Sequence, residues 1–403
     1  MNLHSFKALG LSAITILLLC FLSAWIFVQM DNPLMLLFLL WGVFFNLAAV
    51  RMKIRPLKIV LLNIGMISTL LFLVELGALI WRKTHRTPQF RRDYRADWSQ
   101  EHPVLGYGPK PGSTYRVVTT RGDRVLYDVS YSFDEDGLRV SPTKRGSPSE
   151  AVLFFGGSFT LGEGVENTET FAYLIGEKTE LRTLNFGFHG YGGHQMLAAL
   201  QSGWVEERLR GATPVHVIYT YINSHPARVA GLVPWSSEKG PYFQVVSEGR
   251  ARQNGQFFRP GTFKDNVTYK IRRLALRKLK DSFLGYRLIF TTNRDRERWA
   301  AVVNESRLEV EKRWPGASFH AISLDQSEPE EIDRRLPQRL DALEVNNLAP
   351  FQEEPFLYQE GFFIEGDGHP SSLGHRLLAD YILQNIIGGG AADGPVGQGK
   401  ESR

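Results

Sequence analysis

Cysteine is almost absent from this chain. Cys20 is the single cysteine among 403 residues, so the chain cannot form an internal disulfide. Cys20 lies within an apolar run, where a buried packing role is the simplest interpretation. Cysteine and histidine also form no cluster at metal-ligand spacing, and the nearest pair, His189 and His194, is separated by a Gly-rich turn. The sequence therefore predicts neither a bound metal nor a cofactor.

Glycine-rich loops are present, but the known phosphate and dinucleotide patterns are not. A P-loop requires Lys and then Ser or Thr after its second glycine, whereas Glu163 follows Gly162 here. The G-x-G-x-x-G fingerprint that begins at Gly162 and Gly164 fails because Asn167 stands in the last position. The G-x-S-x-G nucleophile elbow fails because Thr160 replaces its last glycine. The remaining hypothesis is a serine nucleophile on a different kind of turn.

A strong excess of charge of one sign is also missing. The net charge is +5 with 22% charged residues, whereas nucleic-acid binding calls for a concentrated basic face with interleaved aromatics. The nearest candidate is residues 269–280, YKIRRLALRKLK, whose apolar side chains fall on one side of a helix. Such a pattern is typical of a solvated surface helix, or of a helix that docks on anionic lipid headgroups. We expect no nucleic-acid partner.

Long apolar runs dominate the N-terminal part. Residues 8–29, 33–50 and 57–81 each approach the ~20 residues that a helix needs to cross a bilayer. No small-residue cleavage pattern follows the first run, which favours an uncleaved anchor over a signal peptide. Glu75 lies near the end of the third run and is interpreted as an interfacial or helix-facing residue. The sequence thus predicts three transmembrane helices and a multi-pass protein of the inner or plasma membrane.

The distribution of Lys and Arg indicates the orientation of these helices. The link between the first two runs carries no basic residue, whereas residues 51–58 carry four. The positive-inside rule therefore places residues 51–58 in the cytoplasm and everything after residue 82 outside it, in the periplasm of a Gram-negative cell. A second basic cluster favours the opposite orientation, with a contact to anionic lipid, and consists of Arg82, Lys83, Arg86, Arg91 and Arg92. Long domains translocate largely regardless of flanking charge, so the outward orientation is preferred.

The stretch AVLFFGGSFTLGEG, residues 151–164, is the most informative part of the sequence. A strand-like run ends in Gly156 and Gly157, which places Ser158 at the tip of a strand, where glycines permit a sharp turn and close approach of a substrate. On its own the stretch is equally compatible with an ordinary strand-to-helix turn. A nucleophilic serine also requires a base and a group that orients the base.

A distant segment, GDGHPSSLGHR at residues 366–376, offers both of these groups. His369 is the candidate general base for Ser158, and Asp367 would fix its tautomer and stabilise the imidazolium. Because the two residues are two positions apart, an extended segment can aim both side chains inward, whereas a helix cannot. The sequence therefore predicts a Ser158–His369–Asp367 catalytic triad.

At this point the chain resembles the SGNH/GDSL hydrolase family, through four blocks in the family's order. The matching residues are Gly156 and Ser158 with Gly162, Asn185 with Gly187 and Gly190, Asn223, and Asp367 with His369 and Pro370. The chain departs from the family at Gly157 and Ser224, where Asp is usual, and in its shorter spacing between Asp367 and His369. The resemblance implies an oxyanion hole formed by the backbone amides of Ser158 and Gly190 with the side chain of Asn223.

Strand-like and helix-like segments alternate after residue 150, which predicts a parallel sheet with helices on both faces, a three-layer α/β/α fold. The predicted strands are 152–155, 181–186, 215–222 and 318–324, and the predicted helices are 170–179, 194–209, 295–312 and 375–387. Ser158, the 187–190 turn and Asn223 each follow a predicted strand, at the edge where such sheets bind ligands.

We predict four parts along the chain: three transmembrane helices in 1–82, a basic juxtamembrane segment and β-rich lead-in in 83–150, an SGNH-like domain in 151–388, and a disordered tail in 389–403. Short alternating runs in 113–133 indicate antiparallel strands within the lead-in. Residues 233–264, rich in Gly, Pro and aromatics, are interpreted as an insertion of undetermined fold.

These features predict a membrane-anchored serine esterase that acts through an acyl-serine intermediate and needs no cofactor. The expected substrate is an O-acyl ester, O-acetyl included, of an envelope carbohydrate or lipid. Two alternatives stay open: an SGNH-type polysaccharide O-acetyltransferase, and a catalytically silent carbohydrate-binding module. His225 and Arg228 follow Asn223, and each has two interpretations. Either they line the cleft, where Arg228 would bind a substrate carboxylate or phosphate, or they have a structural role, with Arg228 in a surface salt bridge. His375 is interpreted as a packing residue.

Overall fold

The computed structural model describes residues 18–23, 25–26, 33–84, 90–94, 98–142, 148–233, 239–257, 259–260, 263–279, 291–325, 335–353 and 359–388. Within them the chain divides into two compact units, residues 1–88 with 264–291, and residues 89–263 with 292–403.

The described helices of four or more residues are, in chain order, α1 (Leu34–Arg51), α2 (Arg55–Thr84), α3 (Ser158–Leu161), α4 (Phe171–Lys178), α5 (Gly193–Gln201), α6 (Trp204–Leu209), α7 (His225–Val229), α8 (Phe263–Leu279), α9 (Asn293–Arg313), α10 (Arg335–Asp341), α11 (Pro350–Glu353) and α12 (Ser372–Ile382), which a π-helical turn (Leu383–Ile387) extends. The described strands are β1 (Phe90–Tyr94), β2 (Gln100–His102), β3 (Gly106–Gly108), β4 (Thr114–Arg121), β5 (Arg124–Ser132), β6 (Glu150–Phe155), β7 (Arg182–Asn185), β8 (Thr213–Tyr221), β9 (Pro241–Ser247), β10 (Arg250–Gln256), β11 (Arg259–Pro260), β12 (Ser318–Ser323) and β13 (Asn347–Leu348).

The first unit contains α1 and α2, which are long and apolar enough to cross a membrane by length and composition. The two helices pack closely: a Cβ on Gly42 would lie 2.8 Å from Thr69 Oγ1, and Asn46 Nδ2 donates to Thr69 Oγ1 at 3.4 Å. Small and polar residues at such a contact are typical of helix pairs in membranes. The first predicted run, residues 8–29, lies mostly outside the described residues; its described part, 18–23 and 25–26, is helical.

The second unit is built on a five-stranded sheet in the order β13-β12-β8-β6-β7, in which every pair is parallel. Strand β6 is buried on both faces, because Val152 and Phe154 pack against α4 and α12, whereas Leu153 and Phe155 pack against α5 and α9. A near-continuous apolar strand is what two covered faces require. The predicted α/β/α parallel-sheet architecture is therefore confirmed.

One predicted helix proved wrong in its extent. Residues 194–209 form two helices, α5 and α6, because Gly203 adopts a left-handed φ of 81° between them. The last helix begins earlier than predicted, at Ser372, where the side chain of Ser371 accepts from the Gly374 N–H at 3.2 Å. The predicted tail, 389–403, lies outside the described residues.

Three smaller antiparallel sheets accompany the parallel one in the described residues, and the smallest pairs β2 with β3. The lead-in forms a sheet in the order β1-β4-β5, so the antiparallel strands predicted in 113–133 are confirmed and a third strand, residues 90–94, pairs with them. The segment interpreted as an insertion contains β9, β10 and β11, which pair in sequence order. Strand β1 is the element that brings the lead-in to the candidate site.

Candidate active site

Ser158 lies where strand β6 ends and the short helix α3 begins. Gly156 makes the turn possible: its φ is 156°, and a Cβ there would lie 2.1 Å from Thr160 Oγ1. The hydroxyl groups of Thr160 and Thr220 hydrogen-bond beneath the turn. Ser158 is 8% exposed, so its hydroxyl sits in a largely desolvated position at the carboxyl edge of the sheet.

Asp367 and His369 lie on a tight turn that precedes α12. The Ile364 N–H donates to the His369 carbonyl at 2.8 Å, and the Gly368 N–H donates back to the Ile364 carbonyl at 3.0 Å. Gly368, between the two side chains, has a φ of 87°. The predicted extended geometry is therefore wrong, and a glycine in the left-handed region brings the carboxylate and imidazole together instead.

The three residues of the predicted triad meet in one hydrogen-bonded row. His369 Nε2 lies 2.8 Å from Ser158 Oγ, and His369 Nδ1 hydrogen-bonds to Asp367 Oδ2. The side chain of Asp367 is 1% exposed and that of His369 is 16% exposed. With the carboxylate ionised, Nδ1–H donates to Asp367, so the lone pair of Nε2 is directed toward the serine proton. This arrangement can deprotonate an alcohol and stabilise the resulting imidazolium.

A second carboxylate, Glu163, lies beside the same imidazole and was not predicted from the sequence. Glu163 Oε2 is 2.7 Å from His189 Nδ1 and 3.6 Å from His369 Nε2, and the residue is 2% exposed. It follows Gly162, where a turn residue facing solvent is the natural expectation. The available signal was its position five residues after the serine, within a segment that is otherwise apolar and glycine-rich.

Arg92 joins the two carboxylates. Its Nη1 lies 2.5 Å from Glu163 Oε1 and its Nη2 lies 3.1 Å from Asp367 Oδ1. The residue lies on β1, and its side chain is 23% exposed. The sequence placed Arg92 with the juxtamembrane basic residues, as a contact for anionic lipid in the alternative orientation. The structure places its guanidinium in the candidate site, which corrects that assignment.

These contacts shift the pKa values of the site. Burial lowers the pKa of His369, but the charge of Glu163 and the hydrogen bond and charge of Asp367 outweigh it, so the pKa of His369 is raised above 6.5. Burial would raise the pKa of Glu163, yet the charges of His369, His189 and Arg92 hold that pKa well below 4.5. The site therefore favours an ionised Glu163 and a more basic His369.

The two further residues predicted for the oxyanion hole, Gly190 and Asn223, each lie in a loop that follows a strand of the parallel sheet. Gly190 has a φ of 72° in the loop after β7, and Asn185 fastens that loop by accepting from the Gly187 N–H at 2.9 Å and donating to the Thr160 carbonyl at 2.8 Å. Asn223 follows β8, and its backbone N–H donates to Asp325 Oδ1 at 2.8 Å. No hydrogen bond between the described residues joins Gly190 or Asn223 to Ser158, so their oxyanion role stays a prediction.

The remaining candidates have defined contacts. His225 is buried, and its Nδ1 lies 2.6 Å from the hydroxyl of Tyr219. Arg228 is also buried, so its interpretation as a surface salt bridge was wrong. His375 is buried and its Nδ1 accepts from the Phe171 N–H at 3.2 Å, which confirms a packing role. Within the described part of the chain, no cluster of three His, Cys, Asp or Glu residues could hold a metal ion.

The chain was compared with family models, curated proteins and solved structures. No protein-family model and no curated protein matches the chain. Among solved structures it is similar to AlinE4, an SGNH-hydrolase family esterase (14% identity, 62% of this chain and 100% of that one, TM-score 0.31). It is also similar to Axe2, an acetylxylan esterase from Geobacillus stearothermophilus, with 13% identity over 60% of this chain and 96% of that one and a TM-score of 0.32. A third similar structure is the esterase EstA from Pseudoalteromonas sp., with 10% identity over 60% of this chain and 97% of that one and a TM-score of 0.30.

Proposed function

We propose that this chain is a serine ester hydrolase of the SGNH type. The observation that carries the proposal is the 2.8 Å contact between Ser158 Oγ and His369 Nε2, with Asp367 on the opposite nitrogen of the ring. In the proposed reaction His369 takes the serine proton as Oγ attacks the ester carbonyl, and then returns it to the departing alcohol. Water, deprotonated by the same nitrogen, hydrolyses the acyl-serine and regenerates Ser158.

Glu163 and Arg92 set the electrostatics of this reaction. Two carboxylates favour the imidazolium that forms after proton transfer, and Arg92 offsets part of their negative charge. Without such an offset, two buried carboxylates beside the nucleophile would oppose the negative charge of the tetrahedral intermediate. We therefore assign Arg92 a role in keeping Glu163 ionised at neutral pH.

The enzyme is proposed to act at a membrane, anchored by α1 and α2, with its catalytic unit outside the cytoplasm. The length and apolar composition of the two helices support the anchor, and the basic residues of the link between them support the orientation. An anchored esterase at that surface would meet O-acyl or O-acetyl esters of envelope carbohydrate or lipid.

Hydrolysis of p-nitrophenyl acetate by the purified full-length protein in detergent micelles tests the proposal. We expect release of p-nitrophenol by the wild-type protein and loss of more than about 10³-fold of kcat in Ser158→Ala and in His369→Ala. Ser202→Ala is the matched control, because Ser202 Oγ bonds backbone groups of its own turn: it donates to the Ala199 carbonyl at 3.1 Å and accepts from the Trp204 N–H at 3.3 Å. Wild-type turnover no faster than that of Ser158→Ala would overturn the proposal.

The same assay separates hydrolysis from acyl transfer and from silent binding. A transferase would turn over slowly in water and would place radiolabelled acetyl on an added polysaccharide. A binding module would retain affinity for glycan in Ser158→Ala and would show no turnover in either condition. Hydrolysis predicts fast turnover in water that added glycan does not accelerate.

A further inference from the structure

Arg228 is a buried cation beside the nucleophile turn. It lies on the short helix α7 and is 5% exposed. Its Nη1 donates to the Tyr191 carbonyl at 2.7 Å and lies 3.2 Å from His225 Nε2. Within the described part of the chain, no carboxylate lies within salt-bridge distance of the guanidinium, and its buried Nε makes no hydrogen bond.

The guanidinium occupies the space beside Gly157, the residue immediately before Ser158. A Cβ at Gly157 would lie 2.3 Å from Arg228 Nη1 and 3.2 Å from the Tyr191 carbonyl oxygen. Any side chain at position 157 must therefore displace the guanidinium. The aspartate that the family resemblance leads one to expect at this position is incompatible with Arg228 in its present place. Gly157 and Arg228 are thus two parts of one arrangement.

Arg228 also connects the three segments that carry the predicted oxyanion donors. Its Nη1 touches the turn that bears Ser158 and holds the carbonyl of Tyr191, the residue after Gly190. Its own helix begins two residues after Asn223. A single side chain therefore contacts two of these segments and belongs to the third, and the required precision of an oxyanion hole is a fraction of an ångström.

Within the described residues no carboxylate lies at salt-bridge distance from Arg228, and the charge of Glu163 acts on its guanidinium only from farther away. Burial, and then the charge of Arg228, lower the pKa of His225 well below 6.5, and the same two causes lower the pKa of His194 to about 3. Both imidazoles are therefore neutral at neutral pH. A guanidinium in a protein stays protonated, and a buried charge without a counter-charge is costly to maintain.

We infer that Arg228 is a positioning residue for the oxyanion hole, which braces its three segments and holds a positive charge behind it. The inference rests on the proposed ester hydrolysis. As the carbonyl oxygen becomes negatively charged in the tetrahedral intermediate, a fixed cation nearby stabilises that charge more than it stabilises the neutral ester. Arg228 should therefore act on kcat and leave substrate binding nearly unchanged.

Steady-state kinetics of full-length Arg228→Met and Arg228→Lys in detergent micelles provide the first test. We expect kcat for p-nitrophenyl acetate to fall about 100-fold in Arg228→Met, the loss typical of one oxyanion interaction, with KM within threefold of the wild-type value. Arg228→Lys, which keeps the charge but not the planar fork, should retain an intermediate kcat. A wild-type kcat in Arg228→Met would overturn the inference.

Arg139→Met is the matched control for loss of a buried arginine. Arg139 is 1% exposed, its Nη2 donates to the Val165 carbonyl at 3.0 Å, and its guanidinium lies 4.3 Å above the ring of Tyr131. We expect Arg139→Met to lower the melting temperature. Assayed at a temperature at which it is folded, the variant should keep kcat within threefold of the wild-type value. An equal fall of kcat in both variants would reduce Arg228 to a stabilising residue and overturn the inference.

Gly157→Ala tests the contact itself. Its methyl group should displace the guanidinium, so we expect kcat to fall at least tenfold in the wild-type background but less than twofold in Arg228→Met, because the displaced group is then absent. Equal effects in the two backgrounds would contradict the arrangement.

Chemical rescue of Arg228→Ala separates charge from shape. We expect 20 mM guanidinium chloride to raise kcat at least fivefold, whereas 20 mM urea, which is similar in shape but neutral, should have no effect. Equal rescue by both, or by neither, contradicts the electrostatic part of the inference. An inactive wild-type protein would instead reject ester hydrolysis itself, so the two failures are distinguishable.

Discussion

Glu163 Oε2 lies 3.6 Å from His369 Nε2, the ring nitrogen that also hydrogen-bonds to Ser158. One imidazole is therefore flanked by two carboxylates, Asp367 at Nδ1 and Glu163 near Nε2. Both carboxylates share the guanidinium of Arg92. This arrangement makes the protonation of His369 depend on residues from three distant parts of the chain.

Removal of the charge of Glu163 should change the pH dependence of the reaction. The base must be neutral to accept the serine proton, so kcat/KM rises as the pH passes the pKa of His369. Glu163 raises that pKa. Glu163→Gln should therefore move the acid limb of kcat/KM to lower pH and reduce the plateau about tenfold, because the imidazolium loses a stabilising charge. The measurement is kcat/KM between pH 5 and 9.

Glu166→Gln is the control for this variant. Glu166 lies on the same loop and accepts from the Ser130 N–H at 3.0 Å, away from the triad. The acid limb of kcat/KM in Glu166→Gln should coincide with that of the wild-type protein. If Glu163→Gln also left the limb in place, the electrostatic role of Glu163 would be rejected.

Arg92→Gln should shift the same limb in the opposite direction. Arg92 lowers the pKa of His369, so its removal should move the acid limb to higher pH. The variant should also lose about 3 kcal/mol of unfolding free energy, because two buried carboxylates lose their shared cation. Arg91→Gln, one position earlier on β1 and exposed, should show neither effect. A limb that moved to lower pH in Arg92→Gln would be inconsistent with the network.

The sequence predicted that Ser158, His369 and Asp367 would meet because each of the two segments that carry them has a recognisable local pattern of few residue types. The strand-like run before Ser158 and the Asp367–Gly368–His369 segment both carry recognisable patterns. The helix break at Gly203 was not predicted, because the apolar periodicity continues across this residue. The strand pairing of β9 to β11 was not predicted because β10, RARQNGQ, is largely polar and β11 has only two residues.

Glu163 and Arg92 show what a single sequence cannot supply. Glu163 stands among glycines and Arg92 among basic residues, where charged side chains ordinarily face water or lipid. Their pairing depends on the antiparallel contact of β1 with β4, which brings residue 92 next to a turn some seventy positions later. Such a tertiary contact leaves no periodic signal along the chain.

The depressed pKa of Glu163 predicts sensitivity to acid. The folded state keeps this carboxylate ionised below its ordinary pKa of 4.5, whereas the unfolded state binds a proton there. The stabilisation is therefore complete above about pH 5 and is lost as the pH falls further. Urea unfolding at pH 7, 5, 4 and 3 should show a shallower decline in Glu163→Gln than in the wild-type protein. Parallel declines would contradict the ionisation of Glu163 in the folded state.

The proposed orientation can be tested with reporters. Alkaline phosphatase fused after residue 84, where α2 ends, should be active, because it folds only outside the cytoplasm, whereas green fluorescent protein at the same position should be dark. The same reporters fused after residue 53, in the link between α1 and α2, should give the inverse result. Active phosphatase at residue 53 and not at residue 84 would place the catalytic unit in the cytoplasm.

Covalent labelling of Ser158 tests the central claim most directly. The full-length protein is treated with a fluorophosphonate probe at pH 8, and the modified peptide is identified by mass spectrometry. We predict a phosphonyl adduct on Ser158 in the wild-type protein, a rate of labelling at least about 100-fold lower in His369→Ala, and no adduct in Ser158→Ala. An unlabelled Ser158, or labelling at an unchanged rate in His369→Ala, would contradict the account.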